Sequence, residues 1–293
     1  MASQRAVNVI KNAIEKLYPK ELADSSWDNT GLILGAALDD DNGSNGSNGS
    51  DKEPLSVLLT IDLTASVCAE ALEKKSSMVM AYHPFIFRGL KSITTNDPQQ
   101  KSLLRLARAG ISVYCPHTAV DAAVGGVNDW LATALSEGKE ESRVAVEKTT
   151  STIPEHANGG MGRLITLSQP TTVSELVSRA KKALGIPHVQ VALAPQHRNN
   201  DKLVKSIAIC AGSGGSLLRG VQADLHFTGE LGHHEALYLV ETGTSAIVCG
   251  HSNTERGYLK EFREKLLKQL QQDYNGPVSV DISQTDRDPL ETF

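Results

Sequence analysis

The chain has 293 residues, enough for two packed α/β units or one large one, and two is the expected number. Its 40% hydrophobic residues come in runs of roughly five to eight, none near the roughly 20 apolar residues that a membrane span requires. With a net charge of −5, cations interspersed among acids and 4% aromatic residues, the chain lacks the positive field and the stacking surfaces of nucleic-acid binders, so direct nucleic-acid binding is not expected.

Near the start, Val7, Ile10, Ile14 and Leu17 fall at three- and four-residue steps and predict one apolar face of a helix. The segment lacks the charged start, apolar middle and cleavage site of a secretory signal, and Glu15 and Glu21 argue against a mitochondrial presequence. Cytoplasm is the expected location, with nuclear entry left open. The turn-rich ADSSWDNTGLILG then leads to DDDNGSNGSNGSDKEP, whose Asn, Gly, Ser and acids cannot bury apolar area. A disordered, solvated loop over 39–54 is predicted.

From residue 56 strand and helix patterns alternate through SVLLTIDL, TASVCAEALEKK, MVMAYHPFIF, PQQKSLLRLARAG, ISVYC and GVNDWLATALS, which implies βαβ units on a largely parallel sheet. The polar, Gly-bearing SEGKEESRVAVEKTTSTIPEHANGG reads as a boundary. A second block follows with GRLITLS, the helix TTVSELVSRAKKALG between a Thr start and a Gly stop, VQVALAP, LVKSIAICAG, the turn GSGGS, ADLHFTG, HHEALYLVETG and SAIVCGH. The closing helix TERGYLKEFREKLLKQLQQ and the strand VSVDIS return to the first sheet. Two similar-sized α/β domains with central mixed sheets are therefore expected, a discontinuous one over 1–140 plus 246–293 and a second over 141–245. Cys68, Cys115, Cys210 and Cys249 lie far apart with no CxxC pair, and read as buried thiols of a reducing compartment.

Ligands of open α/β sheets bind beyond the carboxyl ends of strands, and three such ends carry histidine. His83 follows MVMAY, His117 follows ISVYCP with Asp121 four residues on, and His251 follows SAIVCG with Glu255 four residues on. Each alone reads as a hydrogen-bonding loop residue. Together, imidazole and carboxylate without cysteine form a ligand set that suits zinc, iron, manganese or nickel. The residues by themselves leave the metal site and the loop role both open.

GSGGSLL after SIAICA could cradle an anion, although a plain tight turn fits it better, since it matches neither a Walker A loop nor GxGxxG. Ala211 to Gly215 also imitates a nucleophile elbow around Ser213, with Asp224 and His251 following in hydrolase order, but His251 is better used by a metal. ADLHFTGELGHHEALYL brings His226, Glu230, His233 and His234 around one strand-to-helix connection. His233 and His234 stand at a helix start, where neutral imidazole is favoured, and either line a pocket or cap the helix.

The segments WDNTGLILG, YHPFIF, CPHTAVDAAVGGVNDWLA, TGELGHHEAL and CGHSNTERGYL, in this order and spacing, together resemble the NGG-one-interacting factor 3 family, also named the GTP cyclohydrolase I type 2 family. The similarity covers essentially the whole chain outside the Asn-Gly-Ser loop. It implies two-domain subunits in a ring-like homohexamer with a dinuclear metal site facing an internal cavity. The family has two adjacent histidines where this chain has Tyr82 and His83, so His83 matches the second and Tyr82 replaces the first. The acid of HTxxD matches Asp121, and the His and Glu of GHxxxE match His251 and Glu255, the Glu bridging the two metals. A phenol with a pKa near 10 is a far weaker ligand than imidazole at neutral pH. One ion keeps His83, Asp121 and Glu255, while the other is left with His251, the shared Glu255 and at most His117 or a tyrosinate, so one or two ions per subunit are expected.

Two functions follow as expectations. The first is a metal-dependent hydrolase acting on a nucleotide or phosphoester, using zinc, iron or manganese, with His117, His233 or His234 moving the proton. The alternative is a non-catalytic metal-binding regulatory or interaction protein whose outer surface serves a transcriptional regulatory partner.

Overall fold

The computed structural model describes residues 2–37, 52–149, 151–198 and 202–291. Of the loop predicted over 39–54, residues 39–51 lie outside the described residues. The chain divides into two compact units, Met1–Ala119 with Leu259–Arg287, and Val120–Tyr258 with Asp288–Phe293.

The first unit contains α1 (Gln4–Leu17), β1 (Gly31–Leu34), β2 (Leu55–Thr60), α2 (Ala65–Glu73), β3 (Met78–Ala81), α3 (Pro98–Ala109) and β4 (Ser112–Cys115). Its five-stranded sheet runs β1-β4-β3-β2 and ends on the chain's last strand, β13 (Val278–Ile282). Only β1 is antiparallel to its neighbour, with Gly31 opposite Cys115. β3 and β4 are buried at every position, as central parallel strands covered on both faces must be. One face carries α2 and α3 over Leu58, Val79, Ala81 and Val113, together with Val67, Ala71, Leu103 and Leu106. The predicted face of α1 holds, with Val7, Ile10 and Ile14 buried, and Tyr18 just beyond it stacks on Phe262 at 4.8 Å. Phe262 belongs to α10 (Leu259–Asp273), which packs on β13 and so returns the C-terminal segment to the first sheet, as expected.

The second unit begins within the short helix α4 (Thr118–Ala122), and continues through α5 (Val127–Ser136), β5 (Glu140–Val144) and the two-stranded pair β6 (Glu147–Lys148) and β7 (Gly160–Met161). Then come β8 (Arg163–Thr171), α6 (Val173–Leu184), β9 (Gln190–Ala192), α7 (Pro195–Arg198) and β10 (Val204–Ser213). β11 (Leu225–Glu230), α8 (His233–Glu241), β12 (Ser245–Val248) and α9 (Asn253–Arg256) complete it. The six-stranded sheet has the order β5-β8-β10-β11-β12-β9, and only β10, β11 and β12 run parallel. α6 starts and stops as its sequence indicates, with the Thr172 side chain accepting from the Glu175 N–H and Gly185 at φ 69° closing the helix.

The units do not divide at 140 and 245. α5 packs on β8 and β10, and β12 hydrogen-bonds between β11 and β9, so residues before 140 and after 245 belong to the second unit. Among the described residues no helix is long and apolar enough to cross a membrane. The four cysteines form no disulfide, three of them being buried and Cys210 half-buried.

Candidate metal-binding residues

In the first unit the carboxyl ends of β2, β3 and β4 deliver Asp62, His83 and His117. His83 leaves β3 two residues past its end, where its N–H and that of Tyr82 continue the ladder to Ile61 and Thr60 carbonyls. Its Nδ1 meets Asp62 Oδ1 at 2.9 Å, which fixes the ring and turns Nε2 away from that carboxylate. His117 is held the same way, with Nδ1 at 2.7 Å from Asp28 Oδ1, while the Thr118 hydroxyl donates to Asp28 Oδ2 at 2.5 Å. Burial alone would raise the Asp28 carboxyl, but the His117 contact and the Thr118 donors outweigh it and hold the group below its ordinary value. His117 adopts φ 29°, a left-handed conformation that costs a non-glycine residue about 1–3 kcal/mol and persists only where its surroundings enforce it. The rings of Tyr82, His83 and His117 meet edge to face with centroids 5.5–6.0 Å apart.

In the second unit the ends of β10, β11 and β12 deliver Gly212, Glu230 and His251, and α9 adds Glu255 one turn after the histidine. His251 Nδ1 lies 3.1 Å from Glu230 Oε2, and its Nε2 lies 3.6 Å from Glu255 Oε1. Glu255 is 3% exposed. Gly212, at φ 62°, backs against both groups, and a Cβ there would stand 2.8 Å from Glu255 Oε1 and 2.9 Å from His251 Nε2, so only glycine fits. Asp121 approaches from α4, its carbonyl accepting from Asn128 Nδ2, while Asn128 Oδ1 accepts from the Ala211 N–H and so ties α4 to the end of β10. Asp121 and Glu255 both lie near enough to Cys210 to add to the burial that pushes its thiol up, which keeps the sulfur protonated.

Imidazole and carboxylate are donor types that hold divalent ions, and His83 of the first unit and His251 and Glu255 of the second each offer one. Oxygen and nitrogen donors with no ionised thiol exclude the soft-metal preference. Both histidines also carry the orientation that metal-binding imidazoles need, with Nδ1 engaged by a carboxylate.

A family model described as Duf34/NIF3 (NGG1p interacting factor 3) matches residues 5–289. The chain belongs to the DUF34/NIF3 family. It is 47% identical over 294 residues to the Protein NIF3 homolog of Schizosaccharomyces pombe, with all of both chains covered. It is 40% identical over 282 residues to NGG1-interacting factor 3 of Saccharomyces cerevisiae, covering 95% of this chain and 94% of the relative. The crystal structure of a Bacillus cereus protein related to NIF3 superposes with a TM-score of 0.77 at 19% identity over 100% of this chain and 99% of that one, which shows a shared fold.

Within this DUF34/NIF3 chain the remaining histidines separate by environment. His233 and His234 open α8 on the exposed surface, their rings 5.3 Å apart and edge to face. His226 is buried and its Nε2 pairs with the Val221 carbonyl, with burial lowering its pKa, a packing role inside the sheet. The nucleophile-elbow arrangement does not form. Asp224 precedes β11, at the opposite end of the strand from the site, and is consumed by Lys202 at 2.6 Å and by donors from Lys205 and Ser206. Those contacts outweigh burial and hold its carboxyl at about 2.

The residues that sequence reasoning missed are Asp62 and Asp28, and the orienting part played by Glu230. Asp62 had a signal, since it lies two residues past the end of its strand just as His83 does. Asp28 had little, because its pairing with His117 joins residues far apart in the chain.

Proposed function

We propose that this chain binds a divalent ion, zinc, iron or manganese, through His83, Asp121, His251 and Glu255, and that it is a metal-dependent hydrolase of a nucleotide or phosphoester. The observation that carries the reading is the paired anchoring of His83 Nδ1 by Asp62 and His251 Nδ1 by Glu230. Metal-binding histidines nearly always donate the second ring N–H to such a group, which fixes the tautomer and raises the basicity of the ligand nitrogen. When bound, such an ion polarises the bond to be broken and acidifies water. Asp121 and Glu255 bring negative charge to the ion, and Glu255 does so from a buried position beside His251. His117, oriented by Asp28, is placed to take up or deliver a proton through its other nitrogen. His233 and His234 serve the same role from the exposed start of α8 once further copies assemble around it, in the ring-like hexamer that family membership suggests.

Tyr82 stands where the family pattern has histidine, and its ring is buried edge-on to His83 and His117. On this reading one ion is held strongly and a second weakly.

The test is at the anchoring carboxylates, which remove no ligand. Asp62→Asn and Glu230→Gln are each expected to weaken zinc or manganese binding by about 10- to 100-fold while unfolding stays near wild type. Wild-type affinity in both variants would refute the anchoring argument.

A second reading has its own support. The budding-yeast relative is named NGG1-interacting factor 3, and on this second reading the chain's surface serves, in place of catalysis, as a contact for a transcriptional regulatory protein, in the cytoplasm and the nucleus, with the ion as a bound or sensed ligand.

A further inference from the structure

Trp27 and Phe87 are large aromatic residues left 51% and 50% exposed, side by side with ring centroids 6.0 Å apart. Such rings gain most by burial, so two adjacent exposed ones need an explanation. Trp27 is also held still. Its indole N–H donates to Asp24 Oδ2 at 2.8 Å, and the Asp24 N–H donates to the Thr118 hydroxyl, the same group that donates to Asp28. One hydroxyl thus ties the indole to the carboxylate that orients His117. The indole stands perpendicular to the His117 ring at 5.8 Å, and His83 lies a further 5.5 Å from His117. Phe87 follows His83 by four residues in an exposed segment that also carries Arg88 and Lys91.

We propose that Trp27 and Phe87 form a stacking subsite for the planar heteroaromatic ring of a small anionic ligand, of which a mononucleotide is the type, whose other end reaches the His117 and His83 imidazoles. A fixed, half-exposed indole presents a π face without an ordering cost, since its rotamer is already set by Asp24. Arg88 and Lys91 supply positive charge for the anionic part of the ligand. The subsite deepens the metal reading and rests on it only for what the far end of the ligand meets.

The chain has two tryptophans, and Trp130 packs on Tyr258, so Trp130→Phe leaves Trp27 as the sole reporter. Adenosine monophosphate and ribose 5-phosphate are titrated into this protein with and without chelator, following indole fluorescence, and into wild type by calorimetry. Saturable quenching by the nucleotide, none by the sugar phosphate, and a loss of nucleotide affinity of about tenfold or more in Trp27→Ala, largely restored in Trp27→Phe, are the expected results. Equal binding of the two probes, no saturable binding of the nucleotide, or unchanged affinity in Trp27→Ala would overturn the proposal. A change in sedimentation of Trp27→Ala with nucleotide affinity unchanged would assign the rings to a protein interface instead. Metal content of Trp27→Ala, read by elemental analysis, tests the metal site separately, and it stays at the wild-type level whichever way the stacking result falls.

Discussion

Glu255→Ala is expected to strip the protein of its divalent ion and to abolish any ion-dependent turnover of nucleotides or phosphoesters. The carboxylate is nearly inaccessible, lies one helical turn from His251 and approaches its Nε2 at 3.6 Å. Removing it takes away one charge and one ligand together, whereas Glu255→Gln keeps the volume and loses the charge. Both variants should fall to background metal content, with alanine the more destabilised because it also leaves a hole beside Gly212. Turnover is compared on a panel of nucleotides and phosphoesters with added manganese, iron or zinc. A wild-type rate that disappears in the variants supports the hydrolase, and equal rates in all three would favour the interaction reading.

The largest effect on stability is expected at Asp129. Arg163 is 2% exposed, and its Nε and Nη2 donate to the two Asp129 oxygens at 2.8 Å each. The remaining donors go to the carbonyls of Gly160, Gly162 and Ala123. Asp129 also accepts from the Gly125 N–H and from Arg143. Asp129→Ala would leave a buried guanidinium without its counter-charge, a loss of about 3–5 kcal/mol. The readout is a shift of the denaturant transition to lower concentration. Burial works against the Asp129 carboxylate, but Arg163, Gly125 and Arg143 outweigh it and hold its pKa below the usual aspartate value. A depressed folded-state pKa contributes stability that is fully present above the unfolded value, about 3.9, and is lost as the pH falls through the folded one. Wild type should therefore lose stability in acid below pH 4, and Asp129→Ala should show a smaller loss over that interval. The same network holds Ala123 and Gly125, in the α4–α5 connection just after Asp121, so metal affinity should weaken in the variant as well.

Local signals in the sequence carried far. The apolar face of α1, the Thr172 and Gly185 ends of α6 and the buried runs of β3 and β4 were all readable, because each is decided within one turn or one strand. The return of α10 and β13 to the first sheet was readable from pattern order. The limits of the units were not, since β12 is placed by hydrogen bonds to β11 and β9, and no periodicity within SAIVCGH reveals those partners. At the site, His83, His117 and His251 could be found because parallel strands end where ligands bind. Their carboxylate anchors came from other strands and loops, and pairings such as Asp28 with His117 depend on tertiary packing alone. His226 shows the limit of residue type as a guide, lying in the same histidine-rich stretch as His233 yet consumed by the Val221 carbonyl in the loop before its own strand.

The most direct measurement of the central claim is elemental analysis of purified protein, prepared without chelators or metal-affinity columns, for wild type and Tyr82→His. About one zinc, iron or manganese ion per chain is expected in wild type and about two in Tyr82→His, the added imidazole completing the weaker position. Background metal in both proteins would contradict it, and would return His83, Asp121, His251 and Glu255 to ordinary hydrogen bonding at the ends of their strands.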